Sequence, residues 1–409
     1  MNRREFLTYL IISGAMAGVA TPSLVTARPR YPRITPRSNH RKVVFISDIH
    51  LSADPTTSWM YDNIAYLAAF LDDLNSRNDV NELVILGDLL DDWMVPIEDD
   101  PSSFQDILDA DHNKPVVAAL QAICANPAIH VIYVTGNHDL LSFESTAKLD
   151  LEETFPNMEI RSEDPGLGDY TLDKVLWAEH GHRYSLFNSP DTWSHPDSHL
   201  PLGYFITRLV ASQSEPSTTP EIIEAFVRQN LPLVLYSSDW QERLIELVFN
   251  AIARWAGKES DDNFIMDGKD HFTDDPTVDE VSPMYAEIMS EWSERQNIVL
   301  PAMALLNELG YMINSAQLLF TMPKSINRYY PFRPRIVLFG HTHKAMFWQR
   351  FGLHSTIYAN TGTWIDGKPM TWVEVEVNDL PFQQCSYNVS LWYNGESDPR
   401  QSGKIVVPS

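Results

Sequence analysis

The chain has 409 residues, 44% of them hydrophobic, and a formal charge of −25 at pH 7. That apolar content can bury a large core in two lobes. The acidic excess, with no Lys/Arg cluster to meet a phosphate backbone, excludes nucleic acid as a partner and disfavours adsorption to anionic lipid.

The first segment reads as an export signal. Arg3-Arg4-Glu5-Phe6-Leu7 precedes a short apolar stretch, Leu10 to Val19, and small residues close it at Val25-Thr26-Ala27. The stretch is too short for a membrane span. The paired arginines are similar to a twin-arginine signal over residues 1–27 and predict an exported, periplasmic or extracellular protein with no stable membrane insertion after signal removal. Whether the signal is cleaved stays open. Residues 28–40, with Pro29, Pro32 and Pro36, read as a flexible leader.

Val43-Val44-Phe45-Ile46 is a continuous apolar run, predicting a buried strand, and it leads into Asp48-Ile49-His50. On an extended chain residues two apart point the same way, so this carboxylate and imidazole are expected to reach one shared point. Helical spacing of Ile64, Leu67, Leu71 and Leu74 predicts a helix over residues 58–74. Leu83 to Leu86 predicts a second strand ending in Gly87-Asp88, and Val116 to Ala125 a second helix. His130 to Val134 predicts a third strand ending in Gly136-Asn137-His138-Asp139, and Asp173 to Glu179 another running into His180-Gly181-His182. Strands alternating with helices imply an α/β fold with a mostly parallel sheet.

From about residue 185 helical patterns dominate: 202–212, 220–229, 239–256, 284–295 and 300–319. The sheet pattern resumes at Arg335 to Phe339, ends in Gly340-His341-Thr342-His343, and continues through Thr356 to Ala359 into Asn360-Thr361-Gly362-Thr363. Alternation over Thr371 to Val377 predicts a half-exposed strand near an edge. Beyond Asn378 no clear pattern is present. Cys124 and Cys385 show no metal-type spacing, and their pairing is open.

Five strand ends therefore carry Asp48-x-His50, Gly87-Asp88, Asn137-His138, His180 and His341-x-His343. This ordered set resembles the calcineurin-like metallophosphoesterase superfamily. The resemblance implies a β-sandwich core flanked by helices, 41–184 and 335–380, interrupted by a mostly α-helical insertion, 185–334, with a tail at 381–409. It implies two divalent metal ions, manganese first with zinc or iron as alternatives, about 3.5–4 Å apart. Asp48, His50, Asp88 and His343 would hold one; Asp88, Asn137, His180 and His341 would hold the other. Hydroxide between them would attack phosphorus, His138 would assist the leaving group, and Asp139 would orient His138.

His182 could contact substrate, support a ligand or cap the insertion. Asp91 and Asp92 read as solvated loop carboxylates. A Tyr ligand of the purple acid phosphatase kind is disfavoured, because Asp91 stands at its position. Leu86 to Trp93 is similar to the corresponding turn of the UDP-2,3-diacylglucosamine pyrophosphatase-like branch. The expected partner is a phosphorylated small-molecule or lipid-linked substrate, hydrolysed as a phosphomonoester, phosphodiester or pyrophosphate. The alternative is an exported metal-bound scaffold with vestigial catalysis. The oligomeric state is left open.

Overall fold

The computed structural model describes residues 40–195, 197–213, 240–292, 304, 307, 312–321, 332–352 and 354–408. The predicted helices at 220–229 and over most of 300–319, and the segments 1–27 and 28–39, lie outside the described residues.

The apolar runs become the centre of a seven-stranded sheet. Strands β1 (His40–Ile46), β2 (Glu82–Leu86), β3 (His130–Val134) and β4 (Glu159–Arg161) run parallel, with Phe45 opposite Val84 and Val84 opposite Ile132. A second, five-stranded sheet has the order β5-β6-β7-β9-β8: β5 (Tyr170–Leu172), β6 (Leu176–Ala178), β7 (Ile336–Phe339), β8 (Met346–Arg350) and β9 (Thr356–Asn360).

Both faces of the central strands are buried, which is why their sequences are continuously apolar rather than alternating. Val43, Phe45, Val84, Leu86, Ile132 and Val134 pack with Leu176, Ile336, Leu338 and Ile357 of the second sheet. Their neighbours Val44, Ile46, Leu83, Ile85 and Val131 pack on helices α1 (Ile64–Ser76) and α3 (Lys114–Cys124); α2 (Phe104–Asp109) lies between those two in sequence. The fold is thus a β-sandwich flanked by helices, as expected. A further helix, α4 (Ser145–Thr154), precedes β4.

Three local expectations are corrected. Helix α1 begins at Ile64, because residues 61–63 give their backbone N–H groups to the Asp366 carboxylate instead of to a helical turn. Asp173 and Lys174, both at positive φ, form the turn between β5 and β6, so the strand there is shorter than the apolar pattern suggested. Strand β10 (Thr371–Leu380) is central. It pairs with β1 on one side and β11 (Gln384–Tyr393) on the other, and β12 (Gln401–Pro408) forms the edge. The tail folds back onto the sheet, and its short periods gave no signal until a partner strand was present.

The chain divides into two compact units. The sandwich is one. The described residues of the other fall within Asp92–Ser102 and Arg183–Tyr311, with helices α5 (Leu202–Ala211), α6 (Trp240–Trp255) and α7 (Val278–Met284). Helix α7 starts at a Thr277/Glu280 capping box and ends at Met284, and residues 285–290 form turns where a helix over 284–295 was predicted; 293–295 lie outside the described residues. Arg208 is fully buried there, donating to the carbonyls of Val95, Pro96, Asp99 and Ile265. Helix α8 (Ile313–Thr321) belongs to the sandwich unit. Among the described residues no helix is long and apolar enough to cross a membrane. Both cysteines are free and buried, Cys124 in the helix-facing core and Cys385 in the core between the sheets.

Phe45 is fully buried and meets Tyr170 edge-on at 5.4 Å across the sandwich. Phe45→Ala is expected to lower the unfolding free energy by about 3–5 kcal/mol, measured by urea denaturation.

Candidate metal centre

The predicted residues meet at the ends of β1, β2, β3, β6 and β7, and the backbone there is unusual. Asp48, His50, Asp88, His341 and His343 all have φ between 51° and 68°. Left-handed conformations of non-glycine residues cost roughly 1–3 kcal/mol each and persist only where surroundings enforce them. The convergence of Asp48 and His50 therefore does not come from an extended strand, as their spacing suggested. It comes from two left-handed residues flanking Ile49.

The enforcing contacts are cross-braces between loops. Ile49 and His50 N–H both donate to Asp88 O (2.8 and 2.9 Å), and Asp48 N–H donates to Gly87 O (3.2 Å). Thr363 Oγ1 and Trp364 N–H donate to Asp48 O (2.8 and 3.2 Å). Asn360 Nδ2 donates to Gly340 O (2.6 Å), so Asn360 to Thr363 brace the His341 loop and the Asp48 loop together. Close approach requires glycine at 136, where a Cβ would lie 2.1 Å from Asp88 Oδ1.

Asp139 takes part in this bracing and not in the role expected of it. Its carboxylate accepts from the N–H groups of Gly136 (2.6 Å), Leu89 (2.7 Å), Asp88 and Leu90 (both 3.3 Å). Burial, with Asp88 nearby, pushes its carboxyl up to about 6. The carboxylate facing His138 is that of Asp91: Oδ1 accepts from His138 Nδ1 (2.8 Å) and Oδ2 from His50 Nδ1 (3.0 Å). Asp91 is buried, and despite that burial the two imidazoles hold it well below the usual carboxylate range. Asp92 is buried too, paired with Lys269 at 2.6 Å. Neither is a solvated loop carboxylate. Sequence could not separate these cases, because a loop Asp reads alike whether its partners are imidazoles or water.

Two donor clusters share Asp88. One gathers Asp48, His50, Asp88 and His343, the other Asp88, His180 and His341. In the first, His343 Nε2 lies 3.0 Å from both Asp48 Oδ1 and His50 Nε2. In the second, Asn137 Oδ1 lies 3.1 Å from His180 Nε2 and 2.9 Å from His341 Nδ1. Between them, Asp88 Oδ2 lies 3.1 Å from His180 Nε2 and 3.6 Å from His50 Nε2, while its Oδ1 accepts the His138 N–H (2.9 Å). His182 is buried next to His180, ring centroids 5.4 Å apart, and its Nε2–H donates to Gly166 O (2.9 Å). In the other unit, His195 stacks on Phe272 and His199 meets Asp270.

The residues fit cations by their chemistry. His180 Nδ1–H donates to Leu86 O (2.7 Å) and His50 Nδ1–H to Asp91, which leaves each Nε2 of the neutral ring as a lone pair. Those lone pairs point at carboxylate and amide oxygens that are also acceptors. Such a set repels itself unless a proton or a cation sits among the atoms. Without a metal the proton is on His180: although burial opposes its charge, Asp88 and Asp48 hold it up at about 9. Burial raises Asp48, and burial with His180 depresses His341. Mixed carboxylate, amide and imidazole donors suit manganese, zinc or iron.

Trp59 was not anticipated. Its partly exposed ring packs against His50 (5.1 Å), His138 (5.8 Å) and His343 (5.9 Å). Its position in a stretch read as the start of a helix concealed it.

A family model described as calcineurin-like phosphoesterase matches residues 41–237. Residues 41–237, a little under half of the chain, are thus similar to that family. The protein is a metal-dependent phosphoester hydrolase with Asp/His clusters suited to two divalent metals. The match includes Asp48, His50, Asp88, Asn137, His138 and His180; His341 and His343 lie beyond it and are brought in by β7. No curated protein matches. Among solved structures, a dimetal phosphatase from Danio rerio aligns with 10% identity and a TM-score of 0.37 over 91% of this chain and 99% of that one. Chains so dissimilar need not share a site.

Two outcomes are expected of this centre. Asp91→Asn loses the carboxylate that orients two imidazoles, and metal affinity is expected to fall about 10–100-fold, read by titration of the metal-free protein with manganese. The proton on His180 must also leave before Nε2 can bind a metal. Below about 9 the apparent affinity should therefore rise roughly tenfold per pH unit, then level off. Calorimetry at pH 7 in two buffers of different ionisation enthalpy should detect the released proton.

Proposed function

We propose that the protein hydrolyses a phosphomonoester, phosphodiester or pyrophosphate at a centre of two divalent cations, manganese first, with zinc or iron as alternatives. Asp48, His50, Asp88 and His343 would hold one, and Asp88, Asn137, His180 and His341 the other. The observation that carries this reading is the position of Asp88 Oδ2 between His180 Nε2 (3.1 Å) and His50 Nε2 (3.6 Å), one from each cluster. When bound, such cations polarise phosphoryl oxygens and lower the pKa of water.

The chain's own residues would do the rest. Asp88 is held rigid by the N–H of His138 on its other oxygen, so it can serve both clusters without moving. His138 donates Nδ1–H to Asp91, which leaves Nε2 to give a proton to the departing oxygen. A buried, ionised Asp91 stabilises the imidazolium and fixes the ring. Asp139 acts one step back, holding the Asp88 turn in place. A binding scaffold has no need of a histidine so oriented, which favours the hydrolase. His182, hydrogen-bonded to Gly166 O, packs beside His180 and would serve as a positioning residue.

We carry forward residues 1–27 as a twin-arginine export signal and 185–334 as a helical insertion. Recovery of only full-length protein in the cytoplasm of an exporting host would remove the first. For the reaction, the metal-free chain reloaded with manganese should hydrolyse nitrophenyl phosphate or its diester. His138→Ala should lower kcat by about 10²–10⁴-fold with metal content intact, and Asp88→Ala should abolish both metal binding and turnover. Activity that survives Asp88→Ala and exhaustive chelation would refute the proposal.

A further inference from the structure

We propose that Trp59 is the leaving-group platform of this centre and selects phosphoesters with an aromatic ring close to the scissile oxygen. The inference rests on the phosphoesterase reading above and adds a substrate class to it.

Within the clusters, access to solvent is uneven. Asp48, His50 and His180 are 0% exposed and Asp88 and Asn137 1%, whereas His138 and His343 retain 7% and 8% and His341 is more open still. The indole of Trp59 packs against His138 and His343, with centroids 5.8 and 5.9 Å away, and is itself partly exposed. It therefore stands at the rim, on the side of the imidazole assigned to the departing oxygen. Among the described residues no acceptor meets its indole N–H.

The ring is also held in place. Asp366 N–H donates to Trp59 O (2.8 Å), and the Asp366 carboxylate accepts the N–H groups of Tyr61, Asp62 and Asn63 (2.8, 3.0 and 2.9 Å). Asn63 Nδ2 donates to Trp364 O and Ile365 O, both at 3.0 Å. The same short segment, through Thr363 and Trp364, grips Asp48 O. Trp59 is thus fixed to the backbone that shapes the metal-facing loop, so an aromatic group stacked on it loses little freedom of the protein side.

The test is binding, not turnover. The manganese-loaded full chain is titrated calorimetrically with methylphosphonate and phenylphosphonate, which cannot be hydrolysed. Phenylphosphonate should bind about three- to tenfold tighter, the range one aromatic contact supplies. Trp59→Ala should bring that ratio to near one with methylphosphonate affinity unchanged, and Trp59→Phe should restore most of it. A ratio that survives Trp59→Ala, or an equal loss for both ligands with metal released, overturns the platform and leaves Trp59 as a cover for the imidazoles. Failure of methylphosphonate to bind the wild-type protein counts against the phosphoester site itself, and the subsite falls with it.

Discussion

One buried carboxylate has to face two sets of donors at once. Asp88 is nearly inaccessible to water, takes a backbone N–H on one oxygen and presents the other between His180 and His50. Burying a carboxylate among lone pairs is costly unless positive charge accompanies it. In the protein alone that charge is a proton on His180, and burial opposes even this. The surrounding architecture exists to hold this arrangement against its own repulsion, ready to exchange a proton for metal.

The means is backbone strain distributed over several loops. Five of the gathered side chains sit on left-handed backbone, uncommon for non-glycine residues though Asp and His tolerate it better than most. Four of them are held by hydrogen bonds from loops distant in sequence: the 87–90 turn braces 48–50, 360–364 braces both 48 and 340, the Asp48 carboxylate accepts the His341 N–H, and Asp139 closes over 88–90 and 136. Loss of one brace would release strain at a gathered side chain several residues away. The sandwich beneath supplies the stability, since its central strands are apolar on both faces and buried on both sides.

Orientation of the imidazoles follows the same economy. Asp91 serves two rings at once and, by accepting from both Nδ1 atoms, turns His50 Nε2 toward the cluster and leaves His138 Nε2 for the role proposed for it. A single substitution there should disturb metal affinity and proton donation together. Trp59, fixed by Asp366, closes the rim on the same side.

Much of this was legible in the sequence. The apolar runs at 43–46, 83–86, 131–134 and 336–339 determined which strands would be central, because a strand buried on both faces needs no alternation. The polar residues just past them, Asp48, His50, Asp88, Asn137, His138, His180, His341 and His343, named the side chains that the fold gathers, because strand order delivers those ends to one edge. Partners whose chemistry is common were not legible. Asp91 looked like any loop carboxylate, Asp139 was given its neighbour's task, Trp59 was counted into a helix, and the tail was unread until β11 and β12 paired. These were decided by tertiary structure alone, because an Asp, a Trp or a short alternating segment acquires its role from what is packed against it. A ligand set carries its chemistry in its residue types; the residues that aim it carry theirs only in position.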